Sequence, residues 1–396
     1  MNFSTAVVLA AGEGTRLRPL TDNRPKPMLP AANQPILQHV LNALVEAGIQ
    51  EIAIVVGYRR ERIQEYFGSQ YRDTQITYVT QEKQLGSGHA LHQARHAVDG
   101  PHIVVNGDQL VDGESVARVC HAFDEAPGPV MAVVNRAHAN RYGVVKLDGQ
   151  QVTELIEKPD TDEHRLINAG VYAFDDDVFE TIENIPRTDG ELMLTDVLDR
   201  QIDNTFVQGT RIEGLWADAT YPWDLLNVAQ EIFERGRTGV SEQDDQVWID
   251  DDAAIHDSAT VQPPVAIGPN CEIGPSSVVG PNVSLAENST VGANVTIRRS
   301  VVGNDCRISH GSTVVDTVLG QDVHLGINVA IPGGPADVRV GTEIVESRQL
   351  GAVLADRVRA AGNVAFEPGT LVGTQASIKT GATVGGLVSE GVEVVR

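Results

Sequence analysis

Two different periods of apolar residues divide this chain. Through the first half, short apolar runs at Thr5 to Ala10, Ile52 to Val56, Ile76 to Val79, Ile103 to Val105 and Val130 to Val134 read as buried strands. Between the first two, apolar residues at 36, 37, 40, 41, 44 and 45 fall on one face of a helix that stops at Gly48. Strands alternating with helices predict an α/β fold: a Rossmann-like, mostly parallel sheet covered by helices, with ligands held at the carboxyl ends of the strands. From Ile255 the period becomes six, through Val261, Ile267, Ile273, Val279, Leu285, Val291 and Ile297, with glycine following at 268, 274, 280 and 292. After a one-residue slip it resumes at Val302, Ile308 and Val314, and again at Leu325 and Ile331. This hexapeptide repeat predicts a left-handed parallel β-helix, three hexads to a triangular coil, with glycine or Asn at the corners. Cys271 and Cys306 stand two residues before Ile273 and Ile308, where a small inward side chain is expected.

The stretch Gly236 to Asp252 is acidic and weakly apolar and reads as a connector, giving domains at 1–235 and 253–396. After Pro335 the hexads loosen. Leu350 to Arg359 reads as a strand or a short loop insertion, and Val364 to Val388 as two further coils.

Charge narrows the partners. A formal charge of -24 argues against nucleic acid or an anionic membrane, both of which would be repelled. Only five of the thirty basic residues are lysines, and the excess of Asp and Glu suggests the hydrated surface of a halophile's protein. No apolar run reaches the length of a membrane span, and Met1 to Ala11 lacks a signal-peptide pattern, so a cytoplasmic protein is expected. The three cysteines are odd in number and form no Cys-x-x-Cys, against a disulfide framework or a zinc knot. They are expected to be small buried side chains in a reducing compartment.

The candidate chemistry begins where the first strand ends. Leu9 to Pro30 carries Leu9, Ala10, Ala11, Gly12, Glu13, Gly14, Thr15 and Arg16, then Lys26 between two prolines. Gly12 and Gly14 are expected to take positive φ and let backbone amides approach phosphate oxygens, with Arg16 and Lys26 as countercharge. A Walker loop would need Gly-Lys-[Ser/Thr], and a dinucleotide fingerprint would need glycine where Leu17 stands. The run resembles instead the signature of the sugar-1-phosphate nucleotidylyltransferases. With the hexapeptide repeat, the whole chain resembles the bifunctional N-acetylglucosamine-1-phosphate uridylyltransferase and glucosamine-1-phosphate acetyltransferase, including its archaeal versions.

That resemblance implies attack by a sugar-1-phosphate on the α-phosphorus of a nucleoside triphosphate, releasing pyrophosphate. Two like charges at about 4 Å repel by roughly 4 kcal/mol at an effective dielectric near 20, so cations are needed. The family's magnesium carboxylates match Asp108, after the strand at Val104-Val105, and Asp218, in Trp216-Ala217-Asp218. The run Gln81 to Ala90 resembles the base-recognition loop of the uridylyltransferases, with Ser87 in place of Thr; Gln81 and the Gly86 backbone would pair with uracil, making UTP the nucleotide. Gly143, Glu157, Lys158 and Asn168 match the sugar-phosphate contacts, Lys158 on the phosphate. In the second domain His310 matches the base that would deprotonate a sugar amine for attack on acetyl-coenzyme A. Two features depart from that pattern: Gly333-Gly334-Pro335-Ala336-Asp337 replaces the family's Asn-Tyr-Asp-Gly loop, and the lysines that grip sugar phosphate are missing. The resemblance further implies a homotrimer or dimer of trimers through the β-helix. Alternatives are thymidylyl or guanylyl transfer, and a non-catalytic nucleotide-sugar-sensing subunit, which predicts lost charges at the phosphate loop.

Overall fold

A computed structural model describes residues 3–126, 128–137, 139–160, 165–185 and 190–395. The chain divides into two compact units, one of Met1–Glu13, Pro25–Met28 and Ile36–Ala217, the other of Gly14–Arg24, Leu29–Pro35 and Asp218–Arg396. This division departs from the 1–235 and 253–396 boundaries read from the sequence. Helix 224–234 and the two short segments of the signature region pack with the second unit.

Ten strands form the sheet of the first unit, the five expected ones among them. They are β1 (Thr5–Ala10), β2 (Glu51–Val56), β3 (Gln70–Tyr71), β4 (Thr74–Thr80), β5 (His102–Asn106), β6 (Val130–Asn135), β7 (Gly143–Asp148), β8 (Gln151–Glu157), β9 (Leu166–Phe174) and β10 (Gln208–Arg211). They make one ten-stranded sheet in the order β7-β8-β10-β6-β9-β5-β1-β2-β4-β3. β1 is buried along its whole length and has parallel neighbours on both sides, Val7 pairing with Ala53 and with Val104. That explains its unbroken apolar run, since a strand covered on both faces has no polar side. β9 is antiparallel to both β5 and β6, because it follows the β7–β8 hairpin instead of a helical crossover. Helix α1 (Ile36–Glu46) buries Ile36, Leu37, Val40, Leu41 and Leu44, and Gly48 closes it at φ 89°.

Two glycines let backbone elements meet at the carboxyl end of this sheet. A Cβ at Gly107 would lie 3.0 Å from the Leu9 carbonyl oxygen and from Ala10 Cβ, so the turn after β5 can press against the end of β1. Gly170 has φ 72° within a bulge of β9, and a Cβ there would run into Gln109 Oε1.

In the second unit successive strands visit three parallel sheets in rotation. Val247–Ile249, Ala254–Ile255 and Thr260–Val261 pair with Val265–Ile267, Glu272–Ile273 and Val278–Val279, and so on along the chain. The six-residue rows point inward: Ile267, Ile273, Val279, Leu285, Val291 and Ile297 are all buried in one core. The corners belong to asparagine more than glycine. Asn270, Ser276, Asn282, Asn288 and Asn294, six apart, all sit near φ 56°, whereas of the four glycines named above only Gly280 has positive φ. Gly274 and Gly292 serve a different need, since a Cβ at either would lie 2.8 Å from the backbone of the next coil.

Two sequence readings need correction here, and for Leu350 to Arg359 the strand alternative holds. The stretch 236–252 is not only a connector, because Val247–Ile249 already pairs with Val265–Ile267 and begins the coil. The slip at Arg299 is followed by a second at Asp316, which brings Leu319 into the inward row between Val314 and Leu325. The insertion is the antiparallel hairpin Pro335–Val340 and Glu343–Gln349, while Ala352–Leu354 is a regular coil strand. Cys271 and Cys306 are fully buried, their Sγ atoms donating to the carbonyls of Ala286 and Gly320. Burial pushes their thiols up to about 11 and about 12, and that of Cys120 to about 12.

Candidate active site

β1 delivers Leu9, Ala10 and Ala11 to the carboxyl edge of the sheet as buried backbone. The Ala11 carbonyl accepts from Gln84 Nε2 at 3.0 Å and that of Leu9 from the Gly107 amide at 2.9 Å. Gly14 is left-handed (φ 67°, ψ 44°) and opens a single helical turn, Thr15–Leu17. Its carbonyl accepts from the Leu17 amide and from Thr21 Oγ1, both at 2.9 Å. Gly12 does not take positive φ, so the expectation for both glycines holds for Gly14 only. Nothing lies within 4 Å of where a Gly12 Cβ would stand, so the turn is open there. Thr15 and Arg16 are exposed, and Arg16 makes no ion pair among the described residues. Both belong to the second unit, as does Asp218.

Lys26 and Asp108 meet. Lys26 Nζ lies 2.8 Å from Asp108 Oδ2, with the lysine side chain 13% exposed and the carboxylate 36%. The short helical turn Lys26–Met28, with Pro27 and Met28 buried, holds the ammonium. The turn pressed against β1 by Gly107 holds the carboxylate. A partly buried, charge-assisted contact of this length neutralises both groups while leaving the site polar.

Beside them the base-loop residues are held rigidly. Gln81 is buried, and its Nε2 donates to the Gly86 carbonyl (3.1 Å) and faces His89 Nδ1 (2.8 Å). Gln81 Oε1 has no protein donor among the described residues. Gly86, at φ 93°, begins helix α2 (Ser87–Gln93), and a Cβ on it would strike the Leu192 carbonyl. The Gly88 and His89 amides donate to that same carbonyl, and Ser87 Oγ accepts from the Leu194 amide at 2.9 Å.

The sugar-motif residues come together by strand pairing. Gly143 is opposite Glu157, and a Cβ on Gly143 would lie 3.2 Å from Glu157 Oε2 and 3.8 Å from Asn168 Cβ. Asn168 Nδ2 donates to the Tyr172 hydroxyl (2.8 Å), and its Oδ1 accepts from the Gly170 amide (3.0 Å). Tyr172 is buried; burial raises its pKa, the Asn168 hydrogen bond opposes this, and the charges of Glu157 and Asp108 add to the rise. Glu157, Asn168 and Asp108 therefore share one neighbourhood around Tyr172. Lys158 is left-handed at φ 44°, its amide held by the Tyr142 carbonyl and its Nζ 3.3 Å from Glu157 Oε1. A lysine forced into that region costs about 1 kcal/mol, and such strain gathers at functional positions.

The other two candidates lie in the second unit. Asp218 ends the strand Trp216–Asp218 and accepts from Thr220 Oγ1 at 3.0 Å. His310 is exposed at a turn of the coil, with Nδ1 accepting from the Ala293 amide at 2.7 Å. A neutral ring held this way carries its proton on Nε2. Among the described residues no group of three or more His, Cys, Asp or Glu side chains could hold a metal by itself.

Residues 5–235 match the family model described as nucleotidyl transferase. The chain belongs to that family. Residues 243–331 and 272–367 of the transferase also match the GMPPB C-terminal domain. Over 390 residues it is 40% identical to the bifunctional protein GlmU of Methanococcus maripaludis, covering 94% of this chain and 92% of the relative. Over 397 residues it is 31% identical to the bifunctional sugar-1-phosphate nucleotidylyltransferase/acetyltransferase of Sulfurisphaera tokodaii, covering 96% of each. Its fold is shared with a UDP-glucose pyrophosphorylase solved with UDP-glucose, at a TM-score of 0.54 and 22% identity over 59% of this chain and 99% of that one.

Several residues that hold these candidates in place had no part in the sequence reading. His89 and Gln84 were visible inside the loop but had no assigned partner. The hold of Leu192 and Leu194 on Gly86 and Ser87 spans about a hundred residues of chain, and no local pattern announces it. Tyr172 lies one residue beyond the Asn168 to Val171 motif and had no role in the sequence reading.

Proposed function

We propose that this transferase moves a uridylyl group from UTP to N-acetylglucosamine-1-phosphate or glucose-1-phosphate and releases pyrophosphate. The observation that carries this reading is the Lys26–Asp108 pair, set at the end of β1 in the same neighbourhood as Glu157 and Asn168. Gln81 supports the choice of base. With Nε2 committed to Gly86, its Oε1 is left to accept from the N–H of a uracil edge. Glu157 and Asn168 would orient the sugar hydroxyls, and Lys158 would bind the sugar phosphate. Gly14, Thr15 and Arg16 would receive the triphosphate, with Arg16 and Lys26 offsetting the charge of the leaving pyrophosphate. No covalent intermediate is needed, because orientation and charge stabilisation suffice.

Asp108, with Asp218 as the second carboxylate, is assigned to magnesium. A hard oxygen donor set without a dense protein cage fits an ion that takes its remaining ligands from water and phosphates. When bound, magnesium supplies charge neutralisation and an in-line template for phosphoryl transfer. A non-catalytic sensing subunit would have lost these charges, whereas Arg16, Lys26, Asp108 and Lys158 all stand in place.

Acetyl transfer from acetyl-coenzyme A would fall to His310 of the coil. The ring must release the Ala293 amide before Nδ1 can accept a proton, so uridylyl transfer is the better supported half. The six-residue period supports the left-handed form of the coil, and its exposed Ile327 and Leu387 support assembly into trimers. The acidic surface supports a protein of a salt-rich cytoplasm.

Pyrophosphate release by the purified protein, assayed with five nucleoside triphosphates against several sugar-1-phosphates with acetyl-coenzyme A consumption followed in parallel, tests the reading. UTP with one of the two named sugars is the expected pair. An absence of turnover with every pair would refute it.

A further inference from the structure

The signature segment after β1 is held by the coil. Within the second unit, Arg24 Nη2 lies 2.9 Å from both carboxylate oxygens of Asp356 and 3.5 Å from Gln321 Oε1. The pair is well enclosed, the arginine side chain 13% and the carboxylate 4% exposed. Asp356 Oδ1 also accepts from the Gln321 amide at 2.8 Å. With its amide turned to satisfy both neighbours, Asn23 donates to Asp356 Oδ2 (3.1 Å) and accepts from Arg357 Nη2 (3.2 Å). From Arg24 the segment runs back to Thr21, whose hydroxyl holds the Gly14 carbonyl, and so to the turn Thr15–Leu17. A second tie fixes the neighbouring segment, where Ser284 Oγ, fully buried in the coil, donates to the Ala32 carbonyl at 3.0 Å.

The coil has no need of Arg24 for its own closure. The left-handed corner there is supplied by Arg357 at φ 62°, and the neighbouring strands pair through their backbones. A buried ion pair contributes little net stability, because desolvation offsets the attraction, but it specifies one geometry well. We propose that Asp356 is a positioning residue for nucleotide transfer: its carboxylate fixes Arg24, and through Arg24 the turn that presents Gly14, Thr15 and Arg16 to the triphosphate. This rests on the role given to that turn under the proposed function.

The test uses the full chain carrying Asp356→Asn, Arg24→Gln, and both together. A displaced turn lowers kcat/KM for UTP by about ten- to a hundredfold. The loss falls on KM for UTP, while KM for the sugar-1-phosphate stays unchanged. The double variant loses no more than the worse single one, because both remove the same tether. Limited trypsin cleavage after the exposed Arg16 reads the anchor without catalysis and is expected to quicken severalfold in each variant. Arg24→Gln, at the more exposed partner, carries the test if Asp356→Asn fails to fold. Unaltered KM for UTP and unaltered cleavage in the variants would overturn the anchor. A wild-type protein that turns over no nucleotide would instead overturn the functional reading, and the cleavage rates would still decide the anchor.

Discussion

Lys26 Nζ and Asp108 Oδ2 lie 2.8 Å apart, so truncating either removes a charge-assisted contact from a partly enclosed site. Lys26→Ala is expected to lower kcat/KM by about 10²- to 10³-fold, the scale of losing one preorganised donor to developing charge. Asp108→Asn should fall at least as far and stay low when magnesium is raised; pyrophosphate release reads both. These two residues were legible because each lies in a short local pattern after a buried strand. What could not be read was how Gln81 is oriented. Its amide is held by His89, on a helix whose entry is pinned by Leu192, and that contact exists only once distant segments have packed. Gly14 and Gly12 divide in the same way. One needs its left-handed φ, and the other merely leaves room.

At the scale of elements, the coil turns its corners on residues near φ 56°, which a Cβ makes costly. Asn294→Ala should destabilise the protein by about 1 kcal/mol, whereas Asn294→Gly should be neutral or better, as read from thermal unfolding. The six-residue rhythm was visible because every coil repeats one burial requirement. The second slip, at Asp316, was not, since only the rows at Leu325 and Ile331 follow Leu319 before the hairpin of 335–349 interrupts the period. Helix α3 (Leu194–Asn204) carries Asp196, Asp199 and Asp203 three and four residues apart, on one face. The residue Asp199 is exposed overall, yet burial around its carboxyl, with repulsion from Asp196 and Asp203, raises its pKa to about 6. A carboxyl with a raised folded-state pKa favours the native state while protonated and loses that contribution as pH climbs from 3.8 through about 6. Asp199→Asn should therefore flatten the stability profile across that window and leave the variant more stable than wild type at pH 7.

The whole molecule carries a formal charge of -24, with Asp and Glu outnumbering Lys and Arg 54 to 30. Self-repulsion of that size is screened as the Debye length shrinks from about 10 Å at 0.1 M salt to about 3 Å at 1 M. The thermal midpoint should accordingly rise between 0.1 M and 2 M KCl, and a midpoint that falls would remove the argument for a salt-adapted surface. Read alone, the order of residues showed the alternating strands and helices and the six-residue inward rows, because burial imposes its period directly on which positions are apolar, and it singled out the charged groups that lie in short runs beside strand ends. Only the tertiary structure decided which segments share a unit. The signature turn travels with the coil through Arg24 and Asp356, and an ion pair between positions 24 and 356 leaves no periodic trace in the chain that makes it.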